Sequence, residues 1–164
     1  MRRIHQFWTA VSLAAALSVA ACAAQPPSCP YDADYVAISA SSGDHCFGVE
    51  IADSARERMR GLMYVRHMES DRGMLFLFDE PEEQSFWMKN TYISLDIIFI
   101  APDGRIANIA ARTEPLSENS VPSVGPVTAV LEINGGLAEK LGLTAGDRVR
   151  HPALAAMTGE RSGR

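Results

Sequence analysis

The sequence lacks the patterns by which common catalytic and metal sites are recognised. It contains no Gly-x-Ser-x-Gly segment, the usual signature of an α/β-hydrolase nucleophile. Its three cysteines have none of the spacings that bind zinc, and no cofactor is implied. The four histidines, none of which has an evident nucleophile as partner, are His5, His45, His67 and His151. The sequence therefore indicates no reaction and does not favour an enzyme.

The sequence also has no apolar run long enough to cross a membrane with ease. Residues 7–20 are uncharged and largely apolar, but a transmembrane helix needs about 20 such residues. After a short basic start, this run is typical of a secretory signal peptide, which we predict over residues 1–21. Val19-Ala20-Ala21-Cys22 resembles a bacterial lipobox, so we expect lipidation of Cys22. Plain signal cleavage after Ala23 is the alternative.

Basic residues are fewer than acidic ones. The chain has 15 basic and 20 acidic residues. The predicted signal contains two arginines and no acid, so its removal leaves 13 basic and 20 acidic residues, a net charge of −7. Such a charge does not suit nucleic acid or an anionic membrane surface. We therefore expect an exported protein on the periplasmic side of a bacterial membrane, attached through its N-terminal lipid or else soluble.

Two cysteines remain besides Cys22. An even pair in an oxidising compartment favours a disulfide between Cys29 and Cys46, with two free thiols as the alternative. Residues 22–34 contain three prolines among small residues, which is typical of a tether between a lipid anchor and a domain. The disulfide would fix the end of this tether to the first core strands.

Apolar runs and turn residues predict one globular domain over residues 35–151. The strand candidates outnumber the helix candidates about seven to two, which predicts a mainly β (β-rich α+β) small barrel or sandwich. One short helix is expected to begin at Ser54 with a capping box to Glu57 and to end at Gly61, and the other to span residues 137–141. We expect strands at residues 85–88 and 95–100 and a hairpin turn at 101–105. We also expect an acidic turn at 79–83, a surface loop at 114–126 and a flexible tail at 152–164.

Several short motifs follow one another along the chain. They are Arg60-Gly61-Leu62-Met63, Gly73-Met74-Leu75-Phe76, Phe86-Trp87-Met88-Lys89-Asn90-Thr91, Leu95-Asp96-Ile97-Ile98-Phe99-Ile100, Val130-Leu131-Glu132-Ile133-Asn134-Gly135-Gly136 and Gly146-Asp147. In this order they resemble the bacterial and archaeal domain-of-unknown-function family number 192. The resemblance covers about residues 47–149 and implies a compact β-rich domain, often exported, with no established activity. Ser94 stands where the family usually has proline, and Gly135 where it usually has alanine.

Polar residues between two apolar runs form the candidate site. One interpretation is a buried ion pair of Lys89 with Asp96 or Glu132. The other is a small pocket beside Phe86, Trp87 and Tyr92, which would bind a small anionic or hydroxylated ligand. On that interpretation the protein is a ligand-binding or accessory module, and its site residues are Trp87, Lys89, Asn90, Asp96 and Glu132.

Two other functions stay open from the residues alone. A hydrolase-type enzyme would use carboxylates drawn from Asp96, Glu114 and Glu132, although spacing does not show that they converge. A weak Cu(I)-binding protein would use Met63, His67 and Met68, because thioethers and imidazoles suit that ion. Core packing by adaptable methionines is the competing interpretation of the second pattern.

Overall fold

Most strands of the protein pair in one curled sheet. The computed structural model describes residues 29–158. The strands are β1 (Tyr35–Ala40), β2 (Gly43–Ala52), β3 (Arg72–Glu82), β4 (Ser85–Phe86), β5 (Leu95–Ile100), β6 (Ile106–Ala110), β7 (Val121–Pro122), β8 (Val127–Asn134) and β9 (Arg148–Arg150). The helices are α1 (Ala55–Arg60), α2 (Leu137–Leu141) and α3 (Pro152–Thr158). The mainly β class predicted from the sequence is confirmed.

The sheet has seven strands in the order β6-β5-β8-β3-β2-β1-β9, while β4 pairs with β7 in a separate ribbon. Every pair in the sheet is antiparallel except β2 and β3, which α1 connects. The two sheet edges approach each other, because Arg105 before β6 forms an antiparallel bridge with Arg148 of β9. Gly104, at φ 76°, makes the preceding turn and accepts a hydrogen bond from the Val149 N–H at 2.8 Å. The sheet is therefore an incomplete barrel.

Each face of the sheet carries its own apolar core. One core, which includes Leu75, Ile98 and Leu131, draws residues from strands across the whole sheet and lies on its enclosed face. The other core lies on the outer face, where Phe76 and Phe99 flank the central strand residue Val130. Both cores are needed because residues 73–77 of β3 and nearly all of β5 and β8 are buried, so that these strands direct side chains into the protein on both faces. The two faces separate residues that are close along the sequence.

Helix α1 begins and ends where the sequence predicts. The Ser54 hydroxyl accepts a hydrogen bond from the Glu57 N–H at 3.3 Å, and the Glu57 carboxylate accepts one from the Ser54 N–H at 3.1 Å. Gly61 ends the helix at φ 47°. No helix within residues 29–158 is long and apolar enough to cross a membrane. The predicted signal peptide and Cys22 lie outside the described residues.

The predicted tail at residues 152–164 was partly wrong. Its first part forms α3, and Leu154 packs in the enclosed core with 3% of its surface exposed. His151 joins this helix to the N-terminal segment, because its Nε2 lies 3.1 Å from the Ala33 carbonyl oxygen. The count of two helices was therefore one too low. The burial of a single leucine in a short helix leaves little periodic signal in the sequence.

Two local predictions near β3 also need correction. The acidic turn expected at residues 79–83 is mostly strand, because β3 continues to Glu82 after an irregularity that follows Leu77. The predicted strand at 85–88 is paired only at Ser85–Phe86, where it meets β7 within the expected surface loop. Exposed acidic residues and a proline hid the continuation of β3 from a reading of hydrophobic pattern.

Ser94 and Gly135, the two residues that depart from the family pattern, are in contact with each other. A Cβ atom built on Gly135 would lie 2.4 Å from the Ser94 Oγ and 2.9 Å from the Ser94 Cβ. The Gly135 N–H donates to the Ser94 carbonyl oxygen at 2.9 Å, and the Ser94 hydroxyl donates to the Thr113 carbonyl oxygen at the same distance. The small residue at 135 therefore gives the serine room for its present rotamer.

Candidate functional site

A cleft of about 300 Å³ opens on the outer face of the sheet. One wall is the end of α1 and the segment after it, residues 58–63, and the opposite wall is residues 84–87. Phe76, Phe78, Thr91 and Glu132 complete the lining. The volume lies at the lower end of the range that small-molecule pockets occupy, so the cleft suits a small ligand.

Glu132 lies at the base of this cleft. It belongs to the central strand β8, between Met74 of β3 and Ile97 of β5. Only 4% of its surface is exposed, and its Oε2 atom has no hydrogen-bond partner among the described residues. Buried polar atoms in proteins nearly always have a partner, so an unpaired carboxyl oxygen that faces a cleft is unusual.

Burial also determines the protonation state of this carboxyl group. Removal from water penalises the charged form and raises the pKa of Glu132 to about 8. No cation is paired with it to offset that penalty within residues 29–158. At neutral pH the group is therefore mainly the neutral acid, which can both donate and accept a hydrogen bond.

Aromatic rings supply most of the apolar surface of the cleft. Phe86 packs edge-to-face against Phe76, with ring centroids 5.0 Å apart, and against Phe99 at 6.0 Å. Edge-to-face packing holds these rings in fixed positions. Trp87 lies at the rim, where 47% of its surface is exposed. A ligand with an apolar body therefore finds a preformed surface in the cleft.

Two arginines contribute the positive charge of the cleft lining. The Arg58 guanidinium donates to the carbonyl oxygens of Asp53 and, at 2.8 Å, of Leu77, and lies over the Phe78 ring. Arg60 is exposed, and its guanidinium makes no hydrogen bond or ion pair with another described residue. Arg58 is thus occupied in holding α1 to β3, whereas Arg60 is available at the mouth of the cleft.

Lys89 does not pair with either carboxylate considered from the sequence. Its Nζ lies 3.6 Å from an oxygen of Glu118 and 5.0 Å from the centre of the Trp87 ring. The side chain remains 41% exposed, so it is neither buried nor saturated. Lys89 borders the rim residue Trp87 but is not among the residues that line the cleft. The predicted ion pair of Lys89 with Asp96 or Glu132 is therefore wrong.

Asn90 positions the segments around the rim. It adopts φ 57°, and its carbonyl oxygen accepts a hydrogen bond from the Tyr64 N–H at 2.8 Å. Tyr64 and Leu116 are also left-handed, and the Leu116 N–H donates to the Thr91 carbonyl oxygen at 3.0 Å. Such conformations are costly in large residues and persist only where surrounding contacts fix them. The role of Asn90 is therefore to join loops, and it lies outside the cleft lining.

Asp96 is a structural carboxylate on the enclosed face. It is fully buried and accepts backbone hydrogen bonds from Arg112 at 2.7 Å and from Gly136 and Ala138 at 2.8 Å each. The last two donors belong to the start of α2, so Asp96 fixes that helix to β5. Its strand position faces Ile133, which places its side chain on the opposite face from that of Glu132.

The proposed catalytic use of Asp96, Glu114 and Glu132 is therefore not supported by the arrangement. Asp96 and Glu132 are divided by the sheet, and Asp96 has its oxygens engaged by three N–H donors. Glu114 is exposed in the loop after β6. Hydrolysis by a pair of carboxyl groups, as in glycosidases, requires both to face the same bond, and Asp96 and Glu132 do not. Asp96 and Glu132 therefore do not act as a catalytic pair, and the hydrolase alternative otherwise stays a prediction.

The residues suggested for copper line one neighbouring groove. Met63, His67 and Met68 all border this groove, whose volume is about 560 Å³. The His67 ring is exposed and lies 2.9 Å from an oxygen of Glu69. No group of three histidine, cysteine, aspartate or glutamate side chains that could hold a metal ion occurs within residues 29–158. The Cu(I) hypothesis stays a prediction.

The structure brings together two of the five predicted ligand-site residues, Trp87 and Glu132, in the cleft. Sequence reasoning missed Arg60 and the apolar wall formed by Phe76. Their motifs had been noticed only as parts of the family resemblance. Arg60 directly precedes Gly61, and Phe76 follows Gly73 by three residues, but spacing alone gives no sign that the two motifs meet.

Comparisons with known proteins agree with this fold. Residues 37–151 match the model of the family DUF192, described as an uncharacterised ACR. The crystal structure of a protein of unknown function from Novosphingobium aromaticivorans DSM 12444 is 46% identical, with a TM-score of 0.70, covering 71% of this chain and 83% of that one. That of a "putative transcription regulator" from Sinorhizobium meliloti 1021 is 44% identical, with a TM-score of 0.69, covering 71% and 91%. No curated protein matches. The protein belongs to the DUF192 family.

Proposed function

We propose that the domain is a binding module for a small molecule, and that the cleft above Glu132 is its site. The observation that carries this proposal is the unpaired Glu132 Oε2 atom at the base of an open cleft. Leaving a buried polar group without a partner costs about 1–3 kcal/mol, so a ligand that supplies the missing hydrogen bond recovers part of that cost.

The lining indicates which ligand features the cleft favours. The rings of Phe76 and Phe86 favour an apolar body, because apolar surface removed from water contributes about 25 cal/mol per Å². The neutral Glu132 carboxyl favours a carbonyl, ether or hydroxyl oxygen that accepts its proton in a hydrogen bond. The proposed ligand therefore has an apolar core and an oxygen acceptor at its deep end.

We further propose that the module works in the cell envelope, anchored through lipid on Cys22. The disulfide between Cys29 and Cys46, whose Cα atoms are 5.6 Å apart, supports an oxidising compartment, because such bonds persist there. Mass spectrometry of the mature N-terminus tests the anchor. A diacylated or triacylated Cys22 is expected, and an unmodified start after Ala23 would contradict lipidation.

The description of one structural neighbour as a transcription regulator suggests DNA binding as another function. The charge of this chain argues against it, since its formal net charge at pH 7 is −5. Protein–DNA affinity depends on clustered lysine and arginine side chains that neutralise phosphates. The described surface offers no observation that favours this function over small-molecule binding.

A fragment screen by NMR tests the binding proposal. Purified protein labelled with ¹⁵N is exposed to uncharged aromatic ketones, ethers and alcohols, and the shifts of cleft residues are followed. Glu132→Gln keeps a hydrogen-bond donor and is expected to retain binding, whereas Glu132→Leu fills the position without a donor and is expected to weaken it about fivefold or more. Glu114→Gln, at an exposed position, is the control.

Three results of this screen would overturn the binding proposal. Binding that maps away from residues 58–63 and 84–87, or that is the same in Glu132→Leu and the wild type, would show that the unpaired carboxyl does not recognise the ligand. A complete absence of fragments bound in the cleft would count against it in the same way.

A further inference from the structure

We propose that the cleft selects anions, so that its ligand is a small amphipathic acid whose charged group contacts Arg60 and whose apolar body rests on Phe76 and Phe86. This inference rests on the proposed function and adds the charge class of the ligand. It assigns to Arg60 the recognition of a carboxylate or a similar anionic group.

The charge of the lining differs from that of the whole protein. The chain has a formal net charge of −5, yet the ionisable residues of the cleft lining are Arg58, Arg60 and Glu132. Burial raises the pKa of Glu132, so that this carboxyl contributes little negative charge at pH 7. An acidic protein thus presents a cleft that has two guanidinium groups in its lining and a mainly neutral carboxyl group at its bottom. Such a local field concentrates anions and repels cations.

The two arginines differ in what they offer a ligand. Arg58 is engaged with backbone carbonyl oxygens and with the Phe78 ring, so it contributes charge but few free donors. The Arg60 guanidinium has no hydrogen-bond or ion-pair partner among the described residues. A guanidinium presents a planar set of donors that matches a carboxylate with two parallel hydrogen bonds. Arg60 is therefore the residue at which an incoming anion is recognised.

The local fold keeps Arg60 at the wall of the cleft. It is the last residue of α1, and Gly61 follows at φ 47° with Phe76 close beside it. A Cβ atom on Gly61 would lie 3.2 Å from the Phe76 ring, so the glycine allows this part of the chain to lie against the aromatic surface. Leu62 is buried in the outer core immediately afterwards. Charge and aromatic surface are thus adjacent in the same wall.

The neighbouring groove shows that this positive lining is particular to the cleft. That groove shares Arg60 with the cleft but also includes Glu50, Glu57 and Glu69 together with Arg72 and His67. Its acidic and basic groups offset one another, whereas the cleft has no ionisable acid besides Glu132. Of these two sites, the cleft is the one with a net attraction for anions.

Three probes of equal shape and different charge test the inference. 3-Phenylpropanoate, 3-phenylpropanamide and 3-phenylpropylamine are titrated into ¹⁵N-labelled protein at pH 6.5. The anion is expected to bind about tenfold more tightly than the amide, and the amine more weakly than both. Arg60→Gln is expected to weaken the anion about five- to tenfold and to leave the amide nearly unchanged.

Arg56→Gln is the matched control, because Arg56 lies on the same helix, carries the same charge and is not among the residues that line either the cleft or the groove. A second readout uses pH. Affinity for the anion is expected to fall about threefold or more as Glu132 ionises above pH 8, because Arg58 and Arg60 are the only other charged groups of the lining. In Glu132→Gln this fall is expected to disappear.

Equal affinity for the anion and the amide, or equal losses in Arg60→Gln and Arg56→Gln, would overturn anion selection while leaving uncharged fragments free to bind as first proposed. Binding of the amine more tightly than the anion would reverse the inference. A failure of all three probes would also reject it, and the separate screen of uncharged fragments would decide whether the proposed function fails with it.

Discussion

Replacement of Glu132 by glutamine is expected to change how the stability of the protein depends on pH. Burial raises the pKa of this carboxyl from its ordinary value of 4.5 to about 8. The folded state therefore holds a proton that the unfolded state releases between these two values. As pH rises through this window, the free energy of unfolding of the wild type decreases, because the unfolded state is stabilised by ionisation. Glutamine does not ionise, so the variant lacks this decrease.

The size of the stability difference follows from the difference between the folded and unfolded pKa values of Glu132. Each unit of pKa difference corresponds to about 1.4 kcal/mol. The stability advantage of Glu132→Gln over the wild type should therefore grow by about 3 kcal/mol between pH 4.5 and 7 and by about 4 kcal/mol between pH 4.5 and 8. Well below pH 4.5 the carboxyl is protonated in both the folded and the unfolded wild type, and the difference becomes constant. If burying the glutamine amide costs stability, that cost does not depend on pH. It shifts the whole curve of variant minus wild-type stability and leaves the slope of the curve against pH unchanged.

Urea denaturation at half-unit intervals from pH 4.5 to 9 measures this slope. The free energies of unfolding of wild type and variant are subtracted at each pH, which removes the titration of groups common to both. Glu114→Gln is the control, because that glutamate is exposed and its replacement should give a difference nearly independent of pH. The difference in stability between Glu132→Gln and the wild type is expected to rise by about 1.4 kcal/mol per pH unit midway between the two pKa values.

A flat difference curve would refute the reasoning, since it would mean that the carboxyl titrates alike in the folded and unfolded states. A curve that falls with rising pH would be a stronger contradiction, because it would require the folded state to stabilise the ionised form. Either result would also remove the neutral hydrogen-bond donor on which the binding proposal depends.

Three further variants test the structural assignments by urea denaturation at pH 7. Asp96→Asn should lower the free energy of unfolding by about 3 kcal/mol or more, because three backbone donors lose a charged acceptor, and a loss under 1 kcal/mol would contradict that role. Replacing Cys29 and Cys46 by serine should cost about 3 kcal/mol for a loop of 17 residues, and equal stability with and without reductant in the wild type would argue against the bond. Gly135→Ala should cost about 1–2 kcal/mol by crowding Ser94, and adding Ser94→Ala should recover only part of this loss because the Cβ at position 94 remains; unchanged stability in Gly135→Ala would contradict the contact.

Local chemistry made much of the fold predictable. The capping box at Ser54 and the stop at Gly61 were found because each depends on residues within one turn of helix. The strand at residues 95–100 and the hairpin turn before β6 were clear from hydrophobic runs and turn residues. The C-terminal helix was missed because its place is fixed by the burial of Leu154 against distant strands, which no local pattern reports.

The candidate site was only partly predictable for a related reason. Glu132 and Trp87 were named from the sequence, but Asp96 was grouped with them although it faces the other side of the sheet. Alternation tells which residues of one strand share a face, but the pairing register decides which face is shared between strands. Arg60 lies 72 positions from Glu132 in the sequence, and only the crossover through α1 puts both beside the same cleft.

The family, the β-rich class and the capping of the first helix follow from residue types and short-range spacing, which are present in the sequence alone. The sequence also supplied the acidic charge that argues against nucleic acid. The tertiary structure alone decided that Asp96 is saturated by backbone donors while Glu132 is left without a partner. The physical reason is that the protonation and availability of a carboxyl group depend on the solvent and donors around it, and those are set by distant segments brought together in the fold.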